Sequence, residues 1–131
     1  MQVIKRAIVK EVLTKASKEK RLDRLQKEKR RCLHECDQLD FEKRKAIKFH
    51  ANKNNSKIIK RFEQEIARRK EKAHSLDFQI EQLQRLPIGT EIVETEIDTV
   101  QNINVGDDWQ QVTAPAVIVI KDGIVVDIRS S

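Results

Sequence analysis

Cys32 and Cys36, with His34 between them, are the first residues to weigh for chemistry. Together they offer three soft donors, but a zinc site needs four that converge. If the segment is helical, the cysteines lie one turn apart on one face and His34 points elsewhere. The reading is two small core residues and no metal. A disulfide within a single helical turn would be strained. Catalytic constellations are absent. The three histidines, His34, His50 and His74, have no acid at a recognisable spacing, and no Gly-rich phosphate loop occurs. Cys32 also lacks the electropositive, exposed setting of a nucleophile. The chain is therefore expected not to be an enzyme, with no cofactor and no small-molecule substrate.

Recognition of an anion is the second chemistry on offer. From Lys43 to Arg61 there is no Asp or Glu. Arg30, Arg31, Arg44, Lys45, Lys48, Lys57, Lys60, Arg61 and Arg68 are the candidates for contact with a phosphate backbone, as in RNA or a ribosomal particle. Against this stands a plainer reading, solvated helix faces charged for solubility. Only Phe49 interrupts the basic stretch as an aromatic, so a base-stacking platform is not indicated. Leu33, Phe41, Ile47 and Phe78 fall off the apolar stripe of their helices. They are candidates for self-association into a homo-oligomer, or they simply widen the stripe.

Two long helices must carry these residues. Between Ser17 and Ala51 there is neither Gly nor Pro, and strong helix formers dominate. Thr14 or Ser17 is the expected N-cap. Steps of 3 and 4 link Leu22, Leu25, Lys29, Cys32, Cys36, Leu39, Lys43 and Ala46, and again Ile59, Phe62, Ile66, Arg69, Ala73, Leu76, Ile80 and Leu83. Such spacing makes a heptad seam. Laid antiparallel, Leu22 meets Leu83, Cys32 meets Ala73 and Ala46 meets Ile59. The fold-back point then falls between Asn52 and Lys53, inside the turn-rich stretch 51–56. Asn55 or Ser56 can cap the second helix, which Pro87 should end near Leu86. Arms of about 30 to 35 residues would reach about 45 to 50 Å. The seam cations Lys29, Lys43 and Arg69 are expected to snorkel, with stems packed and charges at the edge.

Outside residues 14–86 the period changes to 2. Residues 2–10 read as a strand, 93–100 alternate, and 103–105 form a short further segment before the turn at Gly106-Asp107-Asp108. Ala116 to Ile120 and Ile124 to Ile128 flank Asp122-Gly123, a strong type I′ hairpin signal. Four or five strands would make a small β-barrel or a curled antiparallel β-sheet, with Trp109 covering one end of it or serving as a ligand platform. The expected fold is α+β: a long antiparallel coiled-coil hairpin over 14–86, inserted between strands of a β-module formed by 1–13 and 87–131. The split in charge follows this order. Residues 1–89 carry 25 Lys and Arg against 13 Asp and Glu, while 90–131 carry 2 against 8. A basic region of this kind suits an anionic partner. No apolar run approaches the roughly 20 residues of a spanning helix. No secretory signal is evident, and two unframed cysteines suit a reducing compartment, so a cytoplasmic location without membrane contact is expected.

Several stretches resemble the YlqD family, a group of uncharacterised bacterial proteins. They are Val9-Lys10-Glu11-Val12-Leu13-Thr14, Glu35-Cys36-Asp37-Gln38-Leu39 and Phe78-Gln79-Ile80-Glu81-Gln82-Leu83. The tail adds Leu86-Pro87-Ile88-Gly89-Thr90-Glu91, Val105-Gly106-Asp107-Asp108-Trp109 and Val119-Ile120-Lys121-Asp122-Gly123-Ile124-Val125. The resemblance spans nearly the whole chain. It implies no activity and no site residues to carry over, and it points through genomic neighbours to ribosome maturation and translation.

Overall fold

A computed structural model describes residues 1–49 and 56–129. The elements run β1 (Gln2–Val12), α1 (Lys15–Phe49), α2 (Ser56–Arg85), β2 (Glu91–Asn102), α3 (Trp109–Thr113), β3 (Ala116–Lys121) and β4 (Ile124–Arg129). The expected fold-back point at Asn52 and Lys53, and the cap at Asn55, lie outside the described residues. The chain divides into two compact units, Met1–Glu19 with Leu86–Ser131, and Lys20–Arg85.

In the first unit the sheet order is β2-β1-β3-β4, with β1 and β3 parallel and the other neighbours antiparallel. The sheet is therefore mixed and open, not an antiparallel sheet or a closed barrel. The parallel pair follows from connection length. β2 ends opposite Gln2, and β3 starts opposite Ala7, so the chain re-enters beside β1 heading the same way. Closure fails because β2 and β4 are not hydrogen-bonded to each other. Side chains bridge the two edges instead: Arg129 reaches Glu91 at 2.6 and 3.1 Å.

Local chemistry explains the punctuation. Asp122 and Gly123 both have positive φ, 48° and 79°, as a type I′ turn requires. Thr14 caps α1: its hydroxyl accepts the Ser17 N–H at 3.0 Å, and the Ser17 hydroxyl accepts the Thr14 N–H at 2.9 Å. This is a reciprocal capping box with Ser in place of Glu. The same Thr14 hydroxyl donates to Asp122 at 2.7 Å. Leu13 N–H donates to the Thr90 carbonyl, and Gly89 N–H to the Leu13 carbonyl, both at 2.8 Å, so the two ends of the helical insertion are tied. Ala7, Val9, Leu13, Val112 and Val119 are buried.

Two sequence expectations fail here. Residues 103–105 are not a strand, because β2 runs unbroken to Asn102 with a bulge opposite Val9 and Lys10. Trp109 does not cover an end of the sheet. It is 69% exposed, because Val112 is the side chain that α3 buries.

In the second unit, Cys32, Ala73 and Leu76 form a buried cluster with Leu25 packed on it. Cys36 and Leu83 are buried as well. The other positions of the heptad steps are all half-buried. Between the helices, Lys29 pairs with Asp77 (2.5 Å), Lys72 with Glu28 (3.1 Å), Arg69 with Glu35 (3.3 Å) and Lys43 with Glu63 (3.6 Å). From Glu28 and Lys29 to Glu35 and then Lys43 along α1, the partners run back along α2 from Lys72 and Asp77 to Arg69 and then Glu63. The three seam cations thus reach acids on the facing helix. Each such pair, being partly exposed, is worth roughly 0–1 kcal/mol. Among the described residues no helix is long and apolar enough to cross a membrane.

Candidate interaction surfaces

All nine candidate basic residues are exposed. They do not form one patch. The Lys43–Glu63 pair brings the last turns of α1 beside the first turns of α2. Arg44, Lys45 and Lys48 therefore share one end of this unit with Lys57, Lys60 and Arg61. Arg30, Arg31 and Arg68 lie further along the helices. Arg31, Arg44 and Arg68 are engaged with Glu35, Asp40 and Glu65 of their own helices, at 3.9, 2.9 and 2.9 Å. Arg30, Lys45, Lys48, Lys57, Lys60 and Arg61 have no ion pair with a described residue. Lys57, Lys60, Arg61 and Gln64 are spaced to share one helix face. With Ile58 they line a shallow groove of about 460 Å³.

The structure shifts the charge boundary. β1 brings Lys5, Arg6 and Lys10 to the acidic strands, and Arg6 pairs with Glu96 at 2.5 Å. By structural unit, Lys20–Arg85 holds 20 Lys and Arg against 11 Asp and Glu. The other unit holds 7 against 10. The sign of the asymmetry survives with a smaller amplitude.

The self-association candidates are all exposed, Phe41 at 67%, Phe78 at 59%, Leu33 at 43% and Ile47 at 39%. In heptad terms Phe41 and Phe78 lie two positions from the seam, on the outward side of their helices. They fall on different helices and at different heights, and nothing brings them together.

The cysteines are free and buried while His34 is exposed, so the three donors do not converge. Among the described residues no group of three or more His, Cys, Asp and Glu could hold a metal. Burial pushes the Cys36 thiol above its ordinary range, with Lys70 the largest opposing influence. Its Sγ lies 3.8 Å from the Ile66 carbonyl oxygen. A thiol of this kind is a core residue, not a nucleophile.

Sequence reasoning missed a cleft of about 510 Å³ beside α3, lined in part by Lys5, Gln101, Asp107, Asp108 and Gln111. The Gln101 Oε1 is buried there without a hydrogen-bond partner among the described residues. The Asp107 and Asp108 carboxylates are both used locally, accepting from Asn104 and Gln110 N–H. The Gly-Asp-Asp turn marked this region. The helix that follows is too short to show a period.

Over residues 1–129 the sequence matches the family description "YlqD protein". The chain belongs to the YlqD family. YlqD of Bacillus subtilis (strain 168), described as an uncharacterized protein, is 44% identical over 129 residues, 98% of each chain. A crystal structure of a protein of unknown function from Synechococcus sp. WH 8102 superposes with a TM-score of 0.73 at 18% identity. It covers 98% of this chain and 94% of that one. At that identity the likeness speaks for the fold of YlqD proteins and not for their chemistry.

Proposed function

We propose that the chain is a non-enzymatic cytoplasmic interaction protein whose two long helices act as an antiparallel coiled-coil hairpin. Its acid-free end would contact the phosphate backbone of RNA, free or within a ribosomal particle. The observation that carries this reading is the gathering of Lys45, Lys48, Lys57, Lys60 and Arg61 at one end of the helical unit, with no ion partner among the described residues. Cations already neutralised by a neighbour gain little from a phosphate, and these five are not so neutralised. Binding of this kind releases counterions, so affinity falls steeply with salt. For about five phosphate contacts the slope of log affinity against log salt is about −4.

Titration of a structured RNA at several salt concentrations tests it. The triple substitution Lys57→Glu, Lys60→Glu, Arg61→Glu should weaken binding by at least about tenfold and flatten the slope by about 3. Binding that is absent at low salt, or indifferent to the substitution, rejects the reading.

The exposure of Phe41 and Phe78 favours a second reading, self-association through the outward helix faces. Sedimentation of Phe41→Ser and Phe78→Ser decides it. Oligomers of the parent chain that persist unchanged in both variants remove that role.

A further inference from the structure

β4 ends the sheet, and the backbone of its outer edge pairs with no other strand among the described residues, its one link to β2 being the Arg129–Glu91 side-chain bridge. Every residue from Ile124 to Arg129 is exposed. Ile124 and Ile128 stand at 67%, Val125 at 55% and Val126 at 53%. An apolar, unpaired edge of this kind invites another strand, and proteins usually guard against it with charge, proline or cover. The opposite edge is guarded in this way. β2 carries Glu91, Glu94, Glu96 and Asp98 and no cation. β4 has no proline and no lysine.

We propose that β4 pairs antiparallel with β4 of a second copy of the chain. Charge disfavours one of the pairings two copies could make, and the register of β4 favours this one. Two β2 edges would set four carboxylates against four. A β2 edge against β4 gains nothing, because the one cation of β4, Arg129, is already held by Glu91 and Asp127. Two β4 strands, each with one acid and one base, meet without net repulsion.

The faces also match. β4 is bulged at Val126 relative to β3, which leaves Ile124, Asp127 and Arg129 on one face and Val125 and Ile128 on the other. A two-fold axis between Val126 and Asp127 sets Val125 against Ile128 of the second copy, and Ile124 against its Arg129. Each pair joins residues of the same face. In an unbulged strand, residues three or five apart lie on opposite faces, and this register would fail. The bulge makes β4 complementary to itself. Six residues per copy fall short of the roughly 20 to 30 a side typical of stable interfaces, so the dimer is weak and concentration-dependent.

Sedimentation equilibrium of the full chain over a wide concentration range tests this, with circular dichroism to verify folding. The expected result is a monomer–dimer equilibrium whose dissociation constant rises at least about tenfold in Val125→Lys, Ile128→Lys. Should that variant lose its native dichroism, Ile128→Thr, which keeps a β-branched strand residue, decides instead. The double variant Val125→Cys, Ile128→Cys should oxidise to a covalent dimer, since a strand holds these two positions too far apart to close on themselves. A parent chain that stays monomeric at its solubility limit overturns the proposal, and is the result expected if the edge serves another protein's strand. A dimer abolished by Phe41→Ser or Phe78→Ser but not by the β4 variants also overturns it, as do open-ended assemblies in place of a dimer.

Discussion

The helical unit hides few side chains, and those are small or spread along a stripe. Cys32, Cys36, Ala73, Leu76 and Leu83 are buried over two helices of 35 and 30 residues. In the sheet unit, burial concentrates around the central strand, where Ala7 and Leu13 are fully enclosed and Val119 nearly so. At the sheet's edge, by contrast, four aliphatic residues of β4 remain in water. A helix pair gathers its stability from many half-buried contacts and bridging ion pairs. A small sheet depends on a few enclosed residues and tolerates an unfinished margin. The difference explains how a chain with 37% charged residues supports two units: the helices need only the seam.

Leu13→Ala is the sharpest way to break that comparison. Leu13 is fully enclosed and lies where the chain leaves the sheet, with its backbone tied to Gly89 and Thr90. Removing its side chain should cost about 3–5 kcal/mol, read by denaturant unfolding. Leu76→Ala in the helical unit should cost less, about 2–3 kcal/mol, because its neighbours along a helix pair can close part of the gap. If the helical substitution proves the more costly of the two, the idea of a distributed seam fails.

Thiol chemistry offers a smaller effect. Cys32 and Cys36 are buried, and Cys36 is pushed up by burial, so a disulfide reagent at neutral pH should label the native chain far more slowly than the unfolded one. The sign of the pH dependence follows. A thiol whose folded value is raised gives stability that is complete below its unfolded value and is lost as pH rises through the folded one. Alkaline unfolding of the parent chain should therefore be shallower in Cys36→Ala. Equal labelling of native and unfolded protein would mean that the seam opens at this point.

What could be read from residues alone was whatever rests on local chemistry or short periods. Thr14 as cap, Asp122-Gly123 as a turn, and the stretches from Leu22 to Ala46 and from Ile59 to Leu83 as helix all follow from side chains acting on their own neighbourhood. The sheet's arrangement did not. Whether β3 lies parallel to β1 depends on where β2 ends, and a bulge in β2 leaves no mark in Val93-Glu94-Thr95. α3 has five residues and buries only Val112, too little for a pattern. The nine basic candidates were visible as a set, but their division into an end group of six and three arginines further along the helices needed the Lys43–Glu63 contact.

The Glu91–Arg129 bridge should give the smallest effect, and it bears on how the open sheet holds its curl. Hydrogen bonding from Arg129 holds the Glu91 carboxyl below its ordinary range, and Glu91 in turn raises the Arg129 guanidinium. A carboxylate with a lowered folded value contributes stability that is present above its unfolded value and lost as pH falls through the folded one. Acidification through that window should loosen the margin between β2 and β4 before the centre of the sheet. Glu91→Gln should abolish this acid-sensitive step while leaving the neutral-pH fold intact. Both partners are partly exposed, so salt should screen the effect. Amide exchange can follow it residue by residue: faster exchange in β4 at low pH in the parent chain, relative to the intrinsic rate, and none of that pH dependence in Glu91→Gln. If β4 exchanges at the same relative rate in both, the bridge ornaments the edge without holding it, and the curl must come from the twist of the strands and their two bulges.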